Sequence, residues 1–193
     1  LLSYTMESHQ KHWHGNVKLL KYLAEEYQMP KDLETTVYAS QLNQANAIKF
    51  GVEHFRRNRG YTMGSIYWQL NDTWPVASWS SVDYFGRYKA LHYFARKFYQ
   101  EVSLGLFNEE ESITINVANE TKNEFKGYVL AGVKTTDLET VYEFRKDFVI
   151  SPLSSLDVDS RPNYDFNGKN CAFFFSELYD ENDKLIASNI VLG

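Results

Sequence analysis

The chain has 193 residues, of which 44% are apolar and 23% charged, which is enough for one larger globular domain or two small ones. Its net charge of −5 is unevenly spread, because residues 1–100 carry +4 and residues 101–193 carry −9. Neither half is basic enough to indicate binding to nucleic acid, and no run of about eighteen apolar residues predicts a membrane span. The change of charge near residue 100 predicts a domain boundary there.

The compartment is only weakly indicated by the sequence. The single cysteine, Cys171, excludes an internal disulfide, so the protein does not require an oxidising environment. The N-terminus does not have the form of a signal peptide, and the cytoplasm is therefore slightly favoured. Because the sequence begins at Leu1 rather than at a methionine and ends directly after an apolar stretch, we expect it to be part of a longer protein.

Residues 1–100 have the pattern of helices around a single strand. Asn16 is expected to cap the first helix, Pro30 follows it, and Gly60 ends the second. The apolar spacing predicts helices over Asn16–Tyr27, Leu33–Asn58 and Tyr88–Tyr99, and a strand over Ser65–Asn71. Because one strand cannot close a sheet, this half is expected to be either the tail of a larger α/β domain or a poorly stable fragment.

Residues 101–193 change to the alternating apolar pattern of β-strands. Strands are predicted over Ile113–Val117, Phe125–Val133, Tyr142–Ile150, Cys171–Tyr179 and Leu185–Val191. Turn-forming residues separate these segments. About six or seven short strands in a segment of this length predict an antiparallel β-sandwich of the immunoglobulin-like type.

The segment Ser65–Phe98 carries most of the functional signal. Three of the four tryptophans lie within twelve residues here: Trp68, Trp74 and Trp79. A loop after the carboxyl end of a strand is where α/β folds build their sites. Indole faces can stack on the apolar face of a sugar, and the nearby Asn71 and Asp72 can hydrogen-bond hydroxyls. An aromatic cluster can also simply fill a core.

The string YWQLNDTWPVASWSSVDYFGRYKALHYFARK, residues 67–97, closely resembles the last strand and helix of the catalytic barrel in β-mannosidases of glycoside hydrolase family 2. The upstream strings HQKHWHGN and SQLNQANAIKFGVEHFRR resemble the preceding segment of the same family. The resemblance covers residues 1–100 well and the remainder only in general character. It implies an α/β part followed by an all-β part: a C-terminal fragment of a (β/α)8 TIM barrel in residues 1–100, then an immunoglobulin-like β-sandwich in residues 101–193.

By this resemblance, the parent protein is a retaining, exo-acting β-mannosidase that removes terminal β-D-mannose from an oligosaccharide or glycan without a metal or other cofactor. Retaining glycosidases use two carboxyl groups about 5 Å apart, one as nucleophile and one as acid/base. In this family both are glutamates, at the ends of the fourth and seventh barrel strands. Neither surrounding motif is present here, and the context of Glu7 does not match. We therefore expect no catalytic residue in this chain.

The resemblance also suggests which residues contact the sugar. It makes Trp68 the aromatic platform beneath the sugar in the subsite where cleavage occurs. Asn71 and Asp72 are candidates for contacts with sugar hydroxyls, although Asp72 could instead pair with an arginine and hold the shape of the loop. For Trp74 and Trp79, packing within the loop is the favoured role, and Trp74 is kept as a candidate substrate contact.

Three histidines near the N-terminus, His9, His12 and His14, are close enough in sequence to suggest a metal site. Their spacing is not the i, i+4 spacing of a helical zinc site, and no cysteine is nearby, so a structural role is favoured. Asp83 and Arg87 predict a turn before the last helix.

Two alternative functions remain open at the level of sequence. The first is another exo-glycosidase of family 2, of the β-galactosidase, β-glucuronidase or exo-glucosaminidase type, because one strand does not determine which sugar hydroxyl is axial. The second is a non-enzymatic β-sandwich that binds a glycan or a protein and carries a helical appendage.

Overall fold

The computed structural model describes residues 1–162 and 171–192. The chain divides into two compact units, the first made of Leu1–Val52 and Ser65–Arg96, the second of Glu53–Gly64 and Lys97–Gly193. The boundary expected near residue 100 remains a prediction about independent folding. Within the compact units, residues 53–64 group with the C-terminal part of the chain.

Four helices are present among the described residues: α1 over Tyr4–Ser8, α2 over Gly15–Glu26, α3 over Leu33–Arg57 and α4 over Ala90–Phe98. The three helices predicted from apolar spacing are confirmed, with ends that differ by at most two residues. Helix α1 was not expected because it is a short turn with little periodicity, closed by the side chain of Ser3, which accepts from the Met6 amide. None of the helices in the described part of the chain is long and apolar enough to cross a membrane.

The prediction that Asn16 caps α2 is wrong. The residue at the cap position is His14, which has a left-handed backbone with φ of 58°. Asn16 is fully buried one residue inside the helix. Its side-chain oxygen accepts from Gln10 at 2.6 Å, and its amide donates to the Glu7 carboxylate at 3.1 Å. The side chain therefore ties α2 to the residues before it instead of closing the helix end.

The strand predicted over Ser65–Asn71 is also not formed. The segment is not part of any β-ladder, and its one bridge is an isolated pairing of Asn71 with Val82. A strand needs hydrogen bonds to a neighbouring strand, and the described residues of the first unit contain no other strand. The β-forming residues are present, but this unit supplies no partner for them.

The second unit contains two antiparallel sheets. Its strands are β1 (Val102–Asn108), β2 (Ser112–Asn119), β3 (Phe125–Thr135), β4 (Thr140–Ile150), β5 (Ser154–Pro162), β6 (Cys171–Asp180) and β7 (Leu185–Leu192). One sheet has the order β1-β2-β5 and the other the order β4-β3-β6-β7. The predicted antiparallel sandwich is confirmed, including the five strands that were located from sequence. Strands β1 and β5 were not located, because β1 contains a glycine, a residue depleted in strands, and only Leu156 and Val158 are apolar in β5.

The core lies between the two sheets and follows the alternation of the strands. Residues Ile113, Ile115 and Val117 of β2 and Val129, Ala131 and Val133 of β3 are almost completely buried. Side chains of period two point to one face of a sheet, so each strand contributes every second residue to this core. The sandwich is therefore held by an apolar layer that both sheets share.

The last turn of α3 is bonded through arginines to other residues of the second unit. The buried Arg56 donates to the main-chain carbonyls of Phe98 and Gln100. The guanidinium of Arg57 lies 2.7 Å from the carboxylate of Glu109 and 2.9 Å from that of Asp157. These bonds explain why residues from Glu53 onward belong to the second unit although they continue a helix of the first.

We expect Ser176→Ala to stabilise the sandwich. Ser176 lies on the core face of β6, is completely buried, and its hydroxyl has no hydrogen-bond partner among the described residues. A buried, unsatisfied hydroxyl costs about 1 kcal/mol or more, so the free energy of unfolding should rise by about that amount. Chemical denaturation followed by circular dichroism would measure it. The matched control is Ser188→Ala on β7, which is exposed and should change little; an unchanged or lower stability for Ser176→Ala would contradict the expectation.

Candidate functional site

The candidate site is a loop over residues 68–89, called here the aromatic loop, whose main chain turns back on itself. The amide of Ser81 donates to the carbonyl of Gln69 at 3.0 Å, and that of Val82 donates to Leu70 at 2.8 Å. The amide of Gln69 in turn donates to Trp79 at 3.4 Å. These bonds hold the start of the aromatic loop beside residues 79–82, although no regular strand is formed.

Asp72 is the anchor at the centre of the aromatic loop. Its carboxylate is buried, and it accepts hydrogen bonds from Ser78 at 2.7 Å, from Ser80, and from the side-chain amide of Gln69 at 3.2 Å. The ammonium group of Lys89 lies 3.6 Å away. Both carboxylate oxygens therefore have donors from inside the loop.

The charge of Asp72 is stabilised by these partners. Burial alone would raise the pKa of its carboxyl group, but the hydrogen bonds from Ser80 and Ser78 and the charge of Lys89 outweigh burial, and the pKa lies below its usual value. Burial lowers the pKa of Lys89, and the attraction of Asp72 offsets part of that effect. Of the two roles considered for Asp72, this geometry favours holding the loop, with Lys89 in place of an arginine.

Trp68 is exposed while both of its neighbours are held. Trp68 is 71% exposed, and the peptide bond that joins it to Gln69 is cis. On the other side, the Tyr67 hydroxyl lies 2.9 Å from the hydroxyl of Ser81, which also contacts Nδ1 of His92 at 3.3 Å. The structure thus presents one indole on the surface of a hydrogen-bonded framework.

The other site candidates differ in accessibility. Asn71 is exposed, whereas Asp72 is buried. Trp74 is 36% exposed, and its ring lies 5.7 Å from that of His9. Of the four residues proposed from sequence, Trp68 and Asn71 are therefore the most accessible, and Trp74 is partly covered.

Two of the three N-terminal histidines, His9 and His12, pack against the aromatic loop. Besides the contact of His9 with Trp74, the ring of His12 meets Trp79 edge-on at 6.1 Å. The amide of Ala77 donates to the carbonyl of His9 at 2.7 Å. No group of histidine, cysteine and acidic residues within 1–162 and 171–192 is arranged to hold a metal ion. The histidines act here as partners of the tryptophans.

Two glutamines of α3 bond to the aromatic loop and to the residue that follows it. Gln44 donates to the carbonyl of Trp79 at 2.8 Å, and Gln41 accepts from the amide of Ala90 at 3.1 Å. The sequence analysis missed both, and it also missed Lys89, because contacts between distant polar residues leave no periodic signal. The turn predicted at Asp83 is confirmed, since its carboxylate accepts from the amides of Phe85 and Arg87 at 2.9 Å.

Comparison with known proteins was made by sequence and by structure. No family model matches the chain. The β-mannosidase of Capra hircus is 32% identical over 170 residues, which cover 80% of this chain and 19% of that protein. Beta-mannosidase B of Aspergillus niger is 34% identical over 123 residues, covering 62% of this chain and 15% of that protein.

Solved structures give the same result. The crystal structure of a β-D-mannosidase from Dictyoglomus thermophilum matches 99% of this chain and 23% of its own, with 30% identity and a TM-score of 0.91. The exo-β-D-glucosaminidase CsxA matches 95% of this chain and 22% of its own, with a TM-score of 0.74. At 20% identity the latter shows the fold alone.

These matches place the chain among the glycoside hydrolases of family 2. Within that family it belongs with the β-mannosidases, and it spans about one fifth of the length of the relatives that it matches.

We expect Asp72→Asn to destabilise the first unit strongly at neutral pH. The change leaves the buried ammonium group of Lys89 without its carboxylate, and breaking a buried ion pair costs about 3 kcal/mol. All four tryptophans lie in the first unit, so denaturation followed by tryptophan fluorescence measures this unit. Glu26→Gln, an exposed residue at the end of α2 in the same unit, is the control and should have little effect.

The same variant should show a pH dependence with a defined sign. Because folding lowers the pKa of Asp72, its stabilising contribution is present above the unfolded value near 4 and is lost as pH falls through the folded value. The difference in stability between the original chain and Asp72→Asn should therefore be full at pH 7 and shrink below about pH 4. A difference that stays constant down to pH 3 would contradict this role for the carboxylate.

Proposed function

We propose that this chain forms the eighth-strand side of the sugar-binding site in a retaining, exo-acting β-mannosidase that hydrolyses terminal β-D-mannose residues. In this proposal the two catalytic glutamates and the rest of the barrel lie outside residues 1–193. The observation that carries the proposal is the exposed indole of Trp68, whose two neighbours are held by hydrogen bonds. Such an arrangement favours substrate binding and positioning, because an aromatic side chain whose position is fixed in advance loses little conformational entropy when the sugar binds.

The unpaired segment around Trp68, Ser65–Asn71, supports the proposal that the rest of a barrel lies outside this chain. Ile66 is 100% exposed and Leu70 is 59% exposed, in a segment of β-forming residues without a ladder. An unpaired segment of β-forming residues that exposes apolar side chains can pair with a neighbouring strand and bury them there. We propose that Ser65–Asn71 pairs with barrel strands contributed by the remainder of the enzyme, so that Trp68 stands near the carboxyl end of the last strand, where barrels build their active sites.

In the proposed complex, the indole of Trp68 stacks on the apolar face of the mannose ring in the cleavage subsite. The exposed side chain of Asn71 is suited to hydrogen-bond a sugar hydroxyl. Trp74 would add apolar contact at the margin of the subsite, and Asp72 would act from below by fixing the loop. None of these side chains provides nucleophilic or acid/base chemistry, so the role of the chain is to position the sugar for attack by carboxylates located elsewhere.

In the enzyme of which this chain is part, Trp68→Ala should lower kcat/KM by an amount equivalent to about 2–4 kcal/mol, because apolar contact and attack geometry are lost together. Trp79→Ala is the matched comparison: its ring packs against His12, so it should lower the melting temperature more than the activity of the folded enzyme. Hydrolysis of a nitrophenyl β-mannoside and thermal melting would be measured for both. An intact kcat/KM for Trp68→Ala would show that Trp68 does not contact the sugar.

The 193-residue chain alone should not hydrolyse this substrate. Two-carboxylate catalysis requires both groups within about 5 Å of each other across the scissile bond, and the chain lacks both proposed motifs. The assay is release of nitrophenol by the purified chain. Turnover that persists through successive purification steps and follows the chain in each of them would contradict the proposal that the catalytic residues lie elsewhere.

A further inference from the structure

Lys89 occupies a position at which both its main chain and its side chain are bonded into the aromatic loop. Its amide donates to the carbonyl of Ser81 at 2.9 Å. Its ammonium group donates to the hydroxyl of Ser80 at 2.7 Å and lies 3.6 Å from Asp72. Only 14% of the side chain is exposed. A lysine ammonium group that is this poorly hydrated must be stabilised by protein partners in place of water.

A short series of bonds connects this lysine with the residue next to Trp68. The Asp72 carboxylate contacts Lys89 on one oxygen and accepts from the side chain of Gln69 on the other. Gln69 also donates from its side chain to the carbonyl of Asn71 at 3.1 Å. Because Gln69 follows Trp68 directly, its position sets the direction in which the indole leaves the main chain.

The charge of Lys89 adds to the hydrogen bonds that keep the Asp72 carboxylate in this position. Only 1% of the Asp72 side chain is exposed, and a buried carboxylate without a counter-charge moves towards water or takes up a proton. Either change alters the hydrogen bond to Gln69. The neutral hydroxyls of Ser78 and Ser80 also contact Asp72, but they do not replace a positive charge.

We infer that Lys89 is a positioning residue for the sugar platform, acting through Asp72 and Gln69 on the orientation of Trp68. This inference rests on the proposed function of Trp68. Lys89 itself does not touch the sugar, and its effect on catalysis passes entirely through the indole. The inference therefore predicts that the contribution of Lys89 to activity exists only when Trp68 is present.

A double-mutant cycle in the complete enzyme tests this directly. Lys89→Met removes the charge and keeps the length of the side chain; with Trp68 in place it should lower kcat/KM by about 10- to 100-fold, mainly through kcat. In the Trp68→Ala background the same change should lower kcat/KM by less than about threefold. Arg87→Met is the control, because Arg87 lies in the same loop but is 73% exposed at its side chain and pairs with Asp83; it should leave kcat/KM unchanged.

The outcomes separate this inference from the proposed function. If Trp68→Ala alone leaves kcat/KM intact, the proposed function fails. If Trp68→Ala lowers kcat/KM but Lys89→Met has the same effect in both backgrounds, Lys89 acts independently of the platform and the inference is overturned. If Lys89→Met fails to fold, Gln69→Leu takes its place in the cycle, because it removes the link to Asp72 and keeps the ion pair. An equal effect of Gln69→Leu on kcat/KM with and without Trp68 would likewise overturn the inference.

Discussion

Asp72 brings a negative charge into a place that water does not reach, and a charge is tolerated there only if donors and an opposite charge replace its hydration. The replacements come from both ends of the aromatic loop, with Gln69 at its start and Lys89 at its end. Meeting this requirement brings the two ends together. The rest of the loop follows from that constraint, including the contact of residues 79–82 with the segment after Trp68.

The constraint divides the side chains of the loop by task. Polar groups that point inwards, such as Asp72 and Ser80, hold the main chain and are buried. Trp68 and Asn71 point outwards and are accessible. A binding group is most useful when its own position is fixed by neighbours that do not take part in binding. The exposed indole is therefore supported by bonds within the loop, without the strand ladder that normally provides such support.

The parts of the fold that were predicted from sequence are those with a local, repeating signal. Helices α2, α3 and α4 and most strands of the sandwich have apolar residues at a regular period. Strand Ser65–Asn71 was expected because its residues favour β-structure, but strand formation also depends on a partner that local sequence does not reveal. Trp68 and its loop were identified by resemblance to a family. Lys89, Gln41 and Gln44 were missed because their bonds join distant positions.

The central claim is that the aromatic loop is preformed by its own hydrogen bonds within residues 1–193. Amide hydrogen exchange, resolved by residue in the purified chain, tests it most directly. The amides of Ser81, Val82 and Lys89, which donate to carbonyls within the loop, should exchange far more slowly than in an unstructured peptide of the same sequence, and Asp72→Asn should abolish that protection. Exchange of these amides at the unstructured rate in the original chain would contradict the account.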